Sequence, residues 1–250
     1  MKFKNSYKKA GFFHSHNPFN AMLKNRLANT LGLSSTQEKT FTSPVLDQGE
    51  TEECAIYCNA GTAAAITGKV YNIPDILNAI LSYMNIPASS YEGTDLQTAM
   101  YAGVNPGFTA NDGSSFTYDA IIWITPENGL GFCETINQYI QQYQRPANLA
   151  GVWFNEWFGS VNGLITLGAT NIEGGHDMML CGIGTDGMMD NQGSWGIASG
   201  SISGHYRFSP QVFDSYFTGY KVGIGIHTTD RVTKLLGQLS AAWVKLSDLL

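Results

Sequence analysis

The sequence predicts an α+β protein of two lobes, helical in its first half and sheet-rich in its second, with a cleft between them. Three observations predict this. Residues 54–66 contain an almost unbroken run of small and apolar side chains, Ala55-Ile56-Tyr57-Cys58-Asn59-Ala60-Gly61-Thr62-Ala63-Ala64-Ala65-Ile66, of the kind that forms a buried helix. The second half alternates short apolar runs with glycine-rich turns, which favours strands and loops. Finally, the 250 residues are 43% hydrophobic and only 14% charged, so the chain is globular rather than disordered and long enough for two lobes sharing a cleft.

The elements follow in order. Helices are expected near 54–67, 74–85 and 94–102, making a helical lobe over about 41–105. Asp75 and Asn78 mark the polar side of the second helix, and Thr94 or Asp95 caps the third. A linking region carries a strand at Ala120–Ile124 and a helix near Glu134–Tyr143. Strands near Leu149–Phe154, Asp177–Ile183, Gly193–Ala198, Tyr206–Phe208 and Tyr220–Ile226 build the sheet lobe. The expected organisation is a basic arm at 1–40, a body at 41–228 and an amphipathic helix at 229–250.

Charge sets the arm apart. Residues 1–40 hold seven bases (Lys2, Lys4, Lys8, Lys9, Lys24, Arg26, Lys39) and one acid, Glu38, for a net +6. The remaining residues then hold 14 − 7 = 7 bases and 20 − 1 = 19 acids, a net −12. Such an arm can self-associate, lie over the cleft as a pro-segment or touch an acidic partner. It is short and lacks a nucleic-acid-binding motif, which argues against nucleic acid as the partner. At the other end, Val232, Leu236, Leu239, Trp243, Leu246 and Leu250 follow 4-3-4-3-4 spacing. That heptad seam predicts self-association or a protein partner through 229–250.

The N-terminus has no apolar core after its basic start, so no secretory signal is expected. The apolar runs are too short for a membrane span. The expected location is therefore the cytoplasm or a particle assembled there. The four cysteines, Cys54, Cys58, Cys133 and Cys181, form no CxxC pair, and His14-x-His16 lacks a third ligand, so neither a metal nor another cofactor is expected. Cys58, one turn after Cys54, reads as core.

Chemistry concentrates at three places. Cys54 opens the first helix, where unpaired backbone N–H groups and the helix dipole favour a thiolate, the form that attacks a carbonyl. His176 begins the apolar run Asp177-Met178-Met179-Leu180-Cys181-Gly182-Ile183-Gly184, where an imidazole can face a cleft and exchange protons near neutrality. The segment Asp190-Asn191-Gln192-Gly193-Ser194-Trp195-Gly196 follows.

Together, Gln48-Gly49-x-x-x-x-Cys54, Gly175-His176 and Ser194-Trp195-Gly196 resemble the papain-like cysteine peptidases. The Cys-to-His separation is 122 residues, a little below that family's roughly 130–150. Tyr91-Glu92-Gly93-Thr94-Asp95 is similar to the turn lining the family's groove, and Gly204-His205-Tyr206-Arg207-Phe208 to its Gly-Tyr-aromatic strand; the resemblance covers roughly 41–228. It implies a papain-like two-lobe fold, with the nucleophile helix in one lobe and an antiparallel sheet in the other. It also implies hydrolysis of peptide or isopeptide bonds in a protein or peptide substrate. Cys54 would attack and His176 would move protons. Gln48 and the Cys54 amide would hold the oxyanion, and Trp195 would shield the imidazole. Gly93 would let a substrate backbone approach.

The departures matter. Gly193 stands where the family has the Asn that orients the histidine. Asn191 is the preferred substitute through a short bulge, with Gln192 as the alternative. Thr51 removes half of a customary disulfide. Glu52 and Glu53 set carboxylates beside the thiol, where they oppose the thiolate or select a basic substrate residue. With the added arm and tail, they support an alternative: a weak or inactive papain-like module with a structural or assembly role in a phage or virus particle.

Overall fold

A computed structural model of the chain describes residues 40–124, 131–197 and 201–227. The basic arm, apart from Thr40, and the predicted helix 229–250 lie outside the described residues. The helices are α1 (Cys54–Thr67), α2 (Ile73–Met84), α3 (Leu96–Val104), α4 (Phe132–Tyr143) and α5 (Pro210–Phe217). The strands are β1 (Phe108–Thr109), β2 (Ser115–Phe116), β3 (Ala120–Ile124), β4 (Ala147–Phe154), β5 (Leu164–Ile165), β6 (Ile172–Ile183), β7 (Met189–Gln192), β8 (His205–Phe208) and β9 (Lys221–Ile226). β1 and β2 pair alone, and the others form one sheet in the order β3-β9-β4-β6-β7-β8-β5. Every pairing in it is antiparallel except β5 with β8.

α1 is enclosed on nearly every face, as its small side chains allow. Ala55, Ile56, Ala60, Ala63 and Ala64 pack among α2, α3 and the β1–β2 hairpin. Cys58 packs instead on Met179 and Cys181 of β6, which bears out its reading as core. Gly68 ends the helix at φ 71, a left-handed cap suited to glycine. On α3, Asp95 is the N-cap, and its carboxylate accepts the Thr98 N–H at 3.0 Å.

A second core lies within the sheet lobe, where aromatic rings dominate. Trp153, Trp157, Tyr206, Phe208, Phe213 and Phe217 are all nearly inaccessible. A buried polar link joins the two cores. The Thr62 hydroxyl donates to Asn148 Oδ1, Asn148 Nδ2 donates to Asn59 Oδ1 at 3.2 Å, and Asn59 Nδ2 donates to the Ala55 carbonyl at 2.9 Å. α1 is thereby fixed to β4, an interior strand of the sheet.

Two expectations fail. The strand predicted at Gly193–Ala198 is absent over its described residues 193–197, because β7 ends at Gln192 and the chain leaves the sheet. Trp195 bridges instead to Asp47, and Gly196 N donates to Leu46 O at 3.0 Å. α5 was not foreseen, although its start is conventional: Ser209 caps it by accepting the Val212 N–H at 3.3 Å, and Pro210 follows at the first position.

The Asn59–Asn148–Thr62 link should be costly to break. Asn148→Ala leaves the buried Thr62 hydroxyl without its acceptor and leaves Asn59 Oδ1 only a long bond from the Tyr118 hydroxyl at 3.5 Å, each loss worth about 1–3 kcal/mol. Denaturant unfolding is expected to show a loss of roughly 2–5 kcal/mol. A loss below about 1 kcal/mol would show that the link contributes little.

Candidate functional site

Gln48 sits in a loop folded against the Ser194–Gly196 segment. Its backbone N–H donates to Ser194 O at 2.7 Å, and the Ser194 hydroxyl donates to Gln48 Oε1. Gln48 Nε2 donates to the Thr51 carbonyl at 2.6 Å. An amide nitrogen carries two protons, so one N–H remains. Thr51, which breaks the customary disulfide pattern, closes the loop by donating to Gln48 O at 2.8 Å. The oxyanion group predicted from sequence is thus buried and held at its oxygen and at one of its protons.

Cys54 begins α1 and is partly exposed, with the thiol free. Glu53 is the N-cap but supplies no side-chain cap bond. The backbone N–H of Asp177, the residue after His176, points at the thiol, so the helix start meets the start of β6's buried stretch. Burial pushes the thiol up to about 12. The Asp177 carboxylate adds to this, the Asp177 and Ala55 N–H groups oppose it, and Glu52 adds a smaller push.

His176 occupies the first buried position of β6. Its ring stacks on Trp195, with centroids 3.7 Å apart and planes inclined by 16°, and it meets Trp153 edge-on at 5.5 Å. Trp195 therefore covers the imidazole, as the sequence implied. His176 Nε2 is buried without a hydrogen-bond partner. Burial pulls this imidazole down to about 3.

Neither proposed orienter reaches the ring. Asn191 faces the interior of the sheet lobe, its Nδ2 lying 2.9 Å from Met178 Sδ and its Oδ1 buried without a partner. Gln192 is spent elsewhere: its Nε2 donates to Ser43 Oγ at 2.9 Å and to Pro44 O at 3.0 Å, and its Oε1 accepts Ser43 N at 3.3 Å. The reason is strand alternation. Successive residues point to opposite faces, and β7 shows no bulge at 191–192 to re-aim either amide. At Gly193 a Cβ would come within 3.1 Å of the Tyr206 ring and 3.6 Å of Trp195. Aromatic carbon fills the space an asparagine would need.

Two residues that sequence reasoning missed belong to the site. Asp177 is buried, and burial followed by the nearby Asp95 raises its carboxyl well above the ordinary range. Alternation along β6 was the available signal: if His176 faces one side, its neighbour faces the helix. Tyr91 has a buried hydroxyl without a partner, and burial, Glu53, Cys54 and Asp177 together raise its pKa. A Cβ at Gly93, which sits at φ 96, would lie 3.5 Å from the Glu52 carbonyl oxygen, so the predicted groove residues Gly93 and Glu52 adjoin each other. Glu53 bears on Tyr57 and Tyr91 rather than on the thiol.

Acid stability should report the buried imidazole. A free histidine titrates near 6.5, and the folded one at about 3. Between these values the unfolded chain binds a proton that the folded chain does not. This contribution is full above about 6.5 and is lost as pH falls toward 3. Asp177 acts oppositely: its raised carboxyl stabilises the fold at low pH and loses that contribution as pH rises through its folded value. His176→Phe should keep the fold at neutral pH and lower the acid-unfolding midpoint by about half to one pH unit, followed by circular dichroism. An unchanged midpoint would mean the imidazole is already protonated in the fold.

No family model matches the sequence, and no curated protein matches it. Solved structures do. The chain is similar to the cysteine protease CMS1MS2 of Carica candamarcensis, determined with E-64, at 16% identity and TM-score 0.55, covering 75% of this chain and 94% of that one. Xylellain, a cysteine protease from Xylella fastidiosa, aligns at 13% identity and TM-score 0.58 over 78% of this chain and 88% of that one. Digestive procathepsin L2 proteinase from the Tenebrio molitor larval midgut aligns at 11% identity and TM-score 0.60 over 80% and 72%. At such identities the likeness speaks for the fold, and the chain has the α+β fold of the papain-like cysteine proteases in a divergent form.

Proposed function

We propose that this chain is a thiol-dependent hydrolase of peptide or isopeptide bonds that works from a neutral resting pair. The observation that supports this best is the anchoring of Gln48 by Ser194 and Thr51 beside the N-terminus of α1. Such anchoring fits a preorganised oxyanion site more than a plain surface loop.

In this reading His176 Nδ1 takes the Cys54 thiol proton as the sulfur attacks the substrate carbonyl. The oxygen that becomes negative accepts from the Cys54 N–H and the remaining Gln48 N–H. The imidazolium then gives its proton to the leaving amine as the C–N bond breaks. Water, deprotonated by His176, cleaves the thioester and restores the thiol. Stacking on Trp195 holds the imidazole where the family uses an asparagine. Protons move during turnover, because a thiol pushed up to about 12 and an imidazole pulled to about 3 do not exchange one at rest.

A second reading has its own observation. The unpartnered His176 Nε2 and the aromatic filling beside Gly193 suit a papain-like fold kept for binding or assembly, with little catalysis. Labelling separates the two. With a thiol-reactive peptide electrophile, the hydrolase should be modified at Cys54 alone, and Cys54→Ala should abolish labelling. No labelling at Cys54 across neutral and alkaline pH would favour the second reading.

The pH dependence is a further check. Thiolate is the reactive form, so simple alkylation of Cys54 should climb about tenfold per pH unit between pH 7 and 10. A plateau through the acid range would reveal a thiolate–imidazolium pair and overturn the neutral resting state.

Asp177→Asn removes the largest electrostatic opponent of the thiolate. It should speed alkylation at pH 9 by roughly three- to tenfold, more than Glu52→Gln does. Equal rates in the wild-type chain and both variants would show that these carboxylates do not reach the sulfur.

A further inference from the structure

Apart from the chemistry at Cys54, the outer part of the sheet holds three potential ligands of three different kinds. Cys181 lies on β6, Asp190 on β7 and His205 on β8, and one ligand atom from each lies within 4.8 Å of the others. His205 Nδ1 is 3.0 Å from Asp190 Oδ1 and 3.1 Å from Oδ2. We infer that Cys181, Asp190 and His205 form a binding site for a single Zn²⁺ ion.

The backbone explains how residues so far apart in sequence converge. The β6–β7 ladder pairs Leu180 with Asn191 and Gly182 with Asp190, so Cys181 is an extra residue at a bulge. Cys181 stays on the α1 face with Met179, and Asp190, opposite the bulge, shares that face, so the sulfur lies beside the carboxylate. Gln192 pairs with His205 across β7 and β8, which brings the imidazole to the same face as Asp190.

The donor set suits zinc. Thiolate, imidazole and carboxylate are its usual ligands, at about 2.0–2.3 Å, and three protein ligands leave one position for water. Donor atoms around such an ion stand a little over 3 Å apart, so the cluster needs only small adjustments. Charge also suits it. One thiolate and one carboxylate balance Zn²⁺, so the occupied site would be neutral where the empty one holds an unbalanced carboxylate. Without an ion, burial and then the Asp190 carboxylate raise the Cys181 thiol, while the Gln192 N–H opposes them. Arg207, opposite Asp190 on β8, has its Nη1 held by Asp186 at 2.7 Å. The His205 and Asp190 side chains retain 15% and 20% exposure, which gives an ion a way in.

Binding is a balanced step: the Cys181 S–H bond gives up its proton to solvent as the sulfur–zinc bond forms, with one proton released per ion. The test uses the full chain carrying Cys54→Ala, His14→Ala and His16→Ala, so that neither the cleft thiol nor the two arm histidines can bind the probe. After treatment with a chelator, Co²⁺ is titrated as a spectroscopic stand-in for Zn²⁺, and Zn²⁺ is then used to displace it. The expected result is one Co²⁺ per chain, with a thiolate-to-cobalt charge-transfer band and the visible bands of a four-coordinate ion. Zn²⁺ should also raise the melting temperature. Adding Cys181→Ser should abolish the charge-transfer band. Adding His205→Gln, a change at a partly exposed side chain that the fold should tolerate, should weaken Zn²⁺ binding at least about tenfold. The inference is overturned if no charge-transfer band forms, if the band survives Cys181→Ser, or if a folded His205→Gln chain binds Zn²⁺ unchanged.

Discussion

The structure depends on enclosing α1 between two cores. One side of this helix meets α2, α3 and the small hairpin, and the other meets β4 and β6. Such a position needs small side chains, because two layers must approach the same axis. It also needs polar contacts that cannot be satisfied elsewhere. Asn59, Thr62 and Asn148 provide them, at 0% exposure each. Buried amides placed in this way specify one docking arrangement, since any slip leaves them unpaired. That arrangement puts the Cys54 thiol against the Asp177 backbone N–H. The geometry of the cleft is therefore a consequence of core packing.

The same enclosure sets the electrostatics. A thiol, an imidazole, a carboxyl and a phenol lie within one poorly hydrated region, and burial is the largest cause of every shift among them. Each moves toward its neutral form. A helix N-terminus favours a thiolate by at most about 2 kcal/mol, and here it works against desolvation and nearby acids. Stacking on Trp195 aligns the His176 ring but does not favour the imidazolium as an amide oxygen at Nε2 would. Burial lowers the imidazole pKa, and no hydrogen bond at the buried Nε2 offsets it.

Much of this was legible in the sequence because it rests on local patterns. α1 spans Cys54–Thr67 as its composition indicates, and β3 spans Ala120–Ile124. The helices near 74–85 and 134–143 begin and end within two residues of expectation, because their apolar periodicity is strong. Gln48, Cys54, His176 and Trp195 are singled out because short motifs point to them. What was not legible depends on pairing between distant segments. Ser194-Trp195-Gly196 reads as a strand by composition but pairs with Leu46–Gln48, far away in the chain. From sequence Asn191 is preferred to Gln192 as the orienter, but strand parity decides the direction of both and sends neither to the ring.

The bulge at Cys181 shows why parity is hard to read. A regular strand would continue the alternation begun at His176 and Asp177 through to Ile183. One extra residue interrupts it, and side chains beyond the bulge no longer keep their expected faces. His176 through Leu180 therefore obey the simple rule: His176, Met178 and Leu180 face the sheet-lobe core, while Asp177 and Met179 face α1. Cys181 still shares the α1 face with Met179, and the register break sends Ile183, beyond it, into the sheet-lobe core. A substitution that removed the bulge would have to re-aim Cys181 or shift the pairing of β7, and β7 carries both Asp190 and the Gln192 side chain that ties the sheet to Ser43 and Pro44.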